Sequence, residues 1–138
     1  MSINYNIKGY RGNLTQSWAS VGDINFLTSP STVEIISTNT NDTVAGTGAR
    51  KVLIEGINGS YDIVRETIDM NGTSASSVSS NSYLRIYRVS VEECGTYGST
   101  NLGTITVRIS SGGSTMIVIQ EDLGESESSL FSIPRNYQ

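Results

Sequence analysis

From Thr104 to Ser110 the chain reads Thr-Ile-Thr-Val-Arg-Ile-Ser, apolar at every second position. That period suits an extended strand with one dry face and one wet face. Ile105, Val107 and Ile109 are expected to point inward, and Thr104, Thr106 and Arg108 outward. The composition carries the same preference along the whole chain. Valine and isoleucine number 25, against 11 for leucine and alanine, and β-branched side chains fit a pleated surface better than a helix. Ser, Thr and Asn supply 47 residues and Gly another 14, with two prolines, which suits many short strands joined by polar turns. Helical bundles and doubly wound folds are excluded, and 138 residues suit one globular domain.

Strand-like segments and turn signals alternate from Ser31 onward. Val33 to Ser37 is the first strand and Arg50 to Glu55 the second. Asn58-Gly59 is the dipeptide that a two-residue type I′ hairpin prefers, so Tyr61 to Met70 should return antiparallel with Val64, Ile68 and Met70 on one face. Thr73 to Ser82 is almost entirely small and polar, so it is expected to be an exposed, mobile loop or weak edge. Between Tyr83 and Glu92 the apolar set changes parity, from Leu84 and Ile86 to Tyr87, Val89 and Val91, which calls for a bulge foremost, or else for burial on both faces. After Ser111-Gly112-Gly113-Ser114, the apolar run in Thr115 to Gln120 reads as a central strand covered on both faces. Leu130, Phe131 and Ile133 give a last strand before Pro134. The expectation is an all-β chain, an antiparallel β-sandwich of about seven strands, jelly-roll or immunoglobulin-like, over residues 31–138.

Residues 1–30 show no sustained period and form an irregular N-terminal arm. Tyr5, Tyr10, Trp18 and Phe26 are scattered along it among polar residues. The arm either packs across its own domain or grips a neighbouring subunit; aromatic anchors give much contact area for little lost rotamer freedom, so in the second case these four are the candidate partner-contact residues.

Histidine is absent, which removes the usual general base and the commonest transition-metal ligand. Nine basic residues face thirteen acidic ones, a formal charge of −4, whereas a nucleic-acid groove needs clustered cations. The lone Cys94 can form no internal disulfide and reads as a buried thiol near a strand end. No apolar run approaches membrane-spanning length, and the first residues lack the apolar stretch of a signal peptide, so synthesis in a cytoplasm is expected. Glu121-Asp122-Leu123-Gly124-Glu125-Ser126-Glu127 lacks the ligand spacing of a calcium loop and is read as a solvated turn. Glu92 and Glu93, as neighbours on a strand, should point to opposite faces. Gly46 and Gly48, in Ala45-Gly46-Thr47-Gly48-Ala49-Arg50, precede a strand and not a helix, so they are read as turn residues at positive φ rather than as a phosphate cradle. No catalytic residue, cofactor or metal is assigned, and the chain is read as a non-enzyme.

One resemblance adds to this. Pro30, Val33-Glu34, Asp42-Thr43-Val44-Ala45-Gly46-Thr47-Gly48-Ala49-Arg50, Val52-Leu53-Ile54-Glu55-Gly56, Tyr61, Glu66, Asn71-Gly72-Thr73, Tyr83-Leu84-Arg85 and Asn101-Leu102-Gly103-Thr104-Ile105 follow one another in an order that resembles virion structural proteins of tailed bacteriophages, over about residues 30 to 110. The resemblance implies a β-sandwich of the particle surface, acting as a head-decoration or cement protein. Its partners would be the major capsid protein or other virion proteins, in a homo-oligomer, a trimer foremost. A neck or tail component, or a glycan- or receptor-binding module of a tail fibre or adhesin, are the alternatives. Neither nucleic acid nor membrane is an expected partner.

Overall fold

The computed structural model describes residues 27–128. Seven strands build two antiparallel sheets. One sheet has the order β1 (Val33–Ser37), β5 (Ile105–Ile109), β6 (Thr115–Ile119); the other has β3 (Ile63–Asp69), β2 (Ala49–Ile57), β4 (Arg85–Cys94), β7 (Glu125–Glu127). Between them lies one core, in which Val33, Ile35, Val52, Ile54, Val89, Ile105, Val107 and Ile119 are fully buried. The chain is an antiparallel β-sandwich, as its composition and alternation require. β1 begins and ends as its sequence predicts, and Ile105 and Val107 point inward; Ile109, at the strand's far end, is half-buried.

The parity change in β4 is a bulge. Glu55 pairs with Arg88 and Gly56 with Ile86, which leaves Tyr87 as the extra residue. That bulge lets Ile86, Val89 and Val91 share the inner face, and a second irregularity alters the fate of the acidic pair. Lys51 stands opposite Glu93 and Val52 opposite Val91, so Glu92 is inserted, and a bulge places both carboxylates on the outer face. Thr67 donates to Glu92 there at 2.9 Å.

Several expectations are corrected. The turn after β2 is not a two-residue type I′ loop but a five-residue loop, 58–62. The Asn58 side chain accepts the amides of Ser60 and Asp62, and Tyr61 takes the left-handed conformation with φ 64°. The side-chain acceptor adds to the backbone bonds that Asn58 makes with Tyr61 and Asp62. β6 is an edge strand, because β5 takes the middle of its sheet, although Ile117, Val118 and Ile119 are buried in succession. The acidic stretch is not wholly a solvated turn, since Glu125–Glu127 pair with β4 as β7. The strand expected at Leu130 to Ile133 lies outside the described residues, as do residues 1–26.

The largest correction concerns Thr73 to Ser82. The connection from β3 to β4 runs antiparallel to β1 along its outer edge, as a strap. Ser79 N–H donates to Val33 O and Ser76 N–H to Ile35 O, each at 2.8 Å, while Val33 and Ile35 donate back to the serine hydroxyls at 2.9 Å. Each hydroxyl in turn donates to a strap carbonyl, Ser76 to Ser77 and Ser79 to Asn81. Tyr83 and Ser31 exchange backbone bonds at one end, and Gly72 accepts from Ser37 at the other. Glu66, on the inner face of β3, accepts from the amides of Ser80 and Asn81, the Asn81 side chain and the Tyr83 hydroxyl. An exposed edge thereby gains a cover that buries hydroxyls instead of apolar groups.

Candidate contact surface

The connections divide between two ends of the sandwich. At one end are the 58–62 and 110–114 turns and the entering residues Leu27 to Pro30, with Pro30 beside Gly59. At the other end four connections meet: 38–48, 70–72, 95–104 and 120–124. Two buried side chains hold that second end, the loop pole, together.

Asp42 is fully buried. Its Oδ1 accepts from Ala49 N at 2.8 Å and Leu102 N at 2.9 Å; its Oδ2 accepts from Gly103 N at 2.9 Å and Ser37 Oγ at 2.6 Å. Four donors on one carboxylate replace the water it gives up, and its own carbonyl accepts from Gly72 N. One residue thus ties β1, β2 and three of the four pole connections. Asn101, also fully buried, does the same for the fourth. Its Nδ2 donates to Gly103 O at 2.7 Å and Gln120 O at 2.8 Å, and its Oδ1 accepts from Gly124 N at 2.9 Å. A glycine at position 48 is required because a Cβ would strike Asp42 Oδ1, and one at 46 because it would strike Asn41 O. Neither has positive φ, which corrects the turn reading: these glycines serve close approach.

From this braced scaffold three apolar side chains project into solvent: Val44, Leu123 and Tyr97, the last with its whole surface exposed. Glu92, Glu93, Glu121 and Asp122 are exposed at the same end of the sandwich. The pole's cations are engaged, Arg50 donating to Gly46 O and Lys51 facing Asp69 at 3.9 Å. The pole therefore exposes three apolar side chains and several carboxylates on loops fixed by their own buried polar groups.

The candidate contact residues Tyr5, Tyr10, Trp18 and Phe26 lie outside the described residues. Sequence reasoning did not single out Asp42, Asn101 or the three exposed pole residues, because Asn39-Thr40-Asn41-Asp42 has the composition of any polar loop.

The other charged clusters brace strands. Glu34, buried on β1, accepts Arg108 Nε at 2.8 Å and the amides of Gly112 and Ser111 at 3.0 and 3.1 Å. Burial alone would raise its carboxyl, but the Arg108 and backbone hydrogen bonds outweigh that and hold it below the usual carboxylate range. Glu55 takes Arg88 at 2.7 Å and Arg65 at 3.3 Å, and Arg88 continues to Glu125 and Glu127, one charge row across all four strands. Cys94 ends β4 half-buried, not buried as expected. Burial and the nearby charges of Asp42 and Glu93 push its thiol upward, away from the thiolate that nucleophilic chemistry needs. The chain matches no protein-family model, and no curated protein or solved structure matches it significantly.

Proposed function

We propose that this chain is a non-enzymatic virion structural protein of a tailed bacteriophage, a cement or decoration protein that stabilises the shell by surface contact. The observation that carries this reading is how the sandwich uses its polar groups. Asp42, Asn101, Glu34 and Glu66 spend their oxygens and nitrogens on strands and loops, while the loop pole offers three large apolar side chains to solvent among its polar and acidic ones. A fold that is internally cross-braced and presents Tyr97, Leu123 and Val44 outward suits adhesion between large bodies. The sequence resemblance supplies the setting, and repeated contacts over a symmetric shell multiply a modest affinity.

The test is binding of the purified chain to shells stripped of decoration, followed by labelled imaging of the native particle. Saturable binding and label over the head support cement. Label confined to the neck or tail favours a structural role there. The exposed Tyr97 ring, set among Ser, Thr and Asn residues, favours one second reading, a glycan-binding module; selective binding on a glycan array without shell binding would establish it instead.

A further inference from the structure

The loop pole faces away from the end where the chain enters the sandwich. β2 has nine residues, so at about 3.3 Å per residue the two ends stand roughly 30 Å apart. The pole is apolar at Val44, Tyr97 and Leu123 and acidic at Glu92, Glu93, Glu121 and Asp122. Two such poles repel one another, which argues against a symmetric pole-to-pole contact. Residues 1–22 have the opposite character: Lys8 and Arg11 are their charged side chains, with no acid among them, and Tyr5, Tyr10 and Trp18 lie alongside.

We propose that the N-terminal arm of one copy docks on the loop pole of the next, its aromatic side chains covering Tyr97 and Leu123 and its two cations meeting the pole's carboxylates. The proposal rests on the reading of the chain as a contact-forming structural protein and adds the surface and the occupant. An arm that leaves one end and a receptor at the opposite end make a head-to-tail contact between different surfaces, which closes into a ring or continues as a filament. A trimer is one such ring.

Charge exchange in the full-length chain tests this by sedimentation over a concentration range, with thermal melts on the same samples. An arm variant, Lys8→Glu with Arg11→Glu, and a pole variant, Glu93→Lys with Glu121→Lys, should each weaken self-association at least tenfold and leave the melting temperature close to wild type. Combining the four substitutions in one chain, or mixing the two variants, should restore it. Tyr97→Ser with Leu123→Ser should weaken association without rescue by any charge change. A monomeric wild type, undiminished association in either variant, or failure of the combined chain to recover would overturn the proposal. So would an arm variant that loses melting temperature with unchanged mass, since that arm packs on its own molecule. Shell binding measured in parallel separates the two claims: a wild type that binds shells but never self-associates refutes head-to-tail docking alone, whereas one that self-associates but ignores shells refutes the cement reading alone.

Discussion

The hydroxyl of Ser79 accepts the amide of Val33 at 2.9 Å while Ser79's own amide donates to Val33's carbonyl at 2.8 Å. A side-chain oxygen thus completes a pairing that a neighbouring strand would make with its backbone. Ser76 repeats the arrangement with Ile35, so the edge of β1 is sealed by a segment with no strand periodicity of its own.

Ser76→Ala or Ser79→Ala should therefore leave a buried amide without its acceptor, at a cost of about 1–3 kcal/mol each. Native-state hydrogen exchange locates the effect: Ile35 N–H should lose protection in the first variant and Val33 N–H in the second. Ser77→Ala, with its exposed side chain, should leave both amides protected. Equal exchange in all three variants would show that the hydroxyls do not hold the edge.

Asp42→Asn tests the pole's brace. The carboxylate accepts four donors, whereas the amide keeps one acceptor oxygen and turns an NH2 toward groups that themselves donate. A loss of about 3 kcal/mol or more in urea unfolding is expected, the range for breaking a buried network. Asn41→Ala, at an exposed neighbouring side chain, should cost well under that. A small loss at Asp42 would mean that the loops hold one another without it.

These two sites also mark where the sequence stops being readable. β1 and β5 could be read because each puts a dry face on alternate residues, and the bulge at Tyr87 could be read because an extra residue must reverse that alternation. The strap could not. It spends three or four residues for every two of β1, pairing Tyr83, Ser79, Ser76 and Gly72 with Ser31, Val33, Ile35 and Ser37, so no period of two survives in it. Asp42 was equally silent, because Leu102 and Gly103 lie about sixty residues along the chain and nothing local distinguishes a hub carboxylate from a loop carboxylate. The Asn58-Gly59 signal misled because Asn58 closes a longer loop, its backbone bonding Tyr61 and Asp62 and its side chain accepting Ser60 and Asp62.

Burial grades the inner face of β5. Ile105 is fully covered and Ile109 is half-buried, so Ile105→Ala should cost about 2–5 kcal/mol through the cavity it leaves, and Ile109→Ala distinctly less. Thr106→Ala, facing outward, should cost least. Denaturant midpoints of the three variants check the order, and a Thr106 loss equal to that of Ile105 would contradict the register with β1 and β6.

Glu34 should set part of the acid limit of the fold. Its folded carboxyl lies below the ordinary value of 4.5, so the folded state holds its proton less readily than the unfolded chain does. The sign follows from linkage. The stabilisation is fully present above about pH 4.5, and it is lost as pH falls from there through the lower folded value. Glu34→Gln removes the charge that Arg108 and the turn amides of Ser111 and Gly112 were arranged to meet. At neutral pH it should cost about 1–3 kcal/mol, the range for weakening hydrogen bonds to a charged, part-buried group. Because the variant has no proton to gain at this site, its stability should fall less steeply than that of the wild type below pH 4.5, and the two curves should converge toward the acid limit. Chemical unfolding from pH 7 down to pH 3 measures this. Parallel curves over that range would show that the Glu34 carboxyl is not held down in the folded protein.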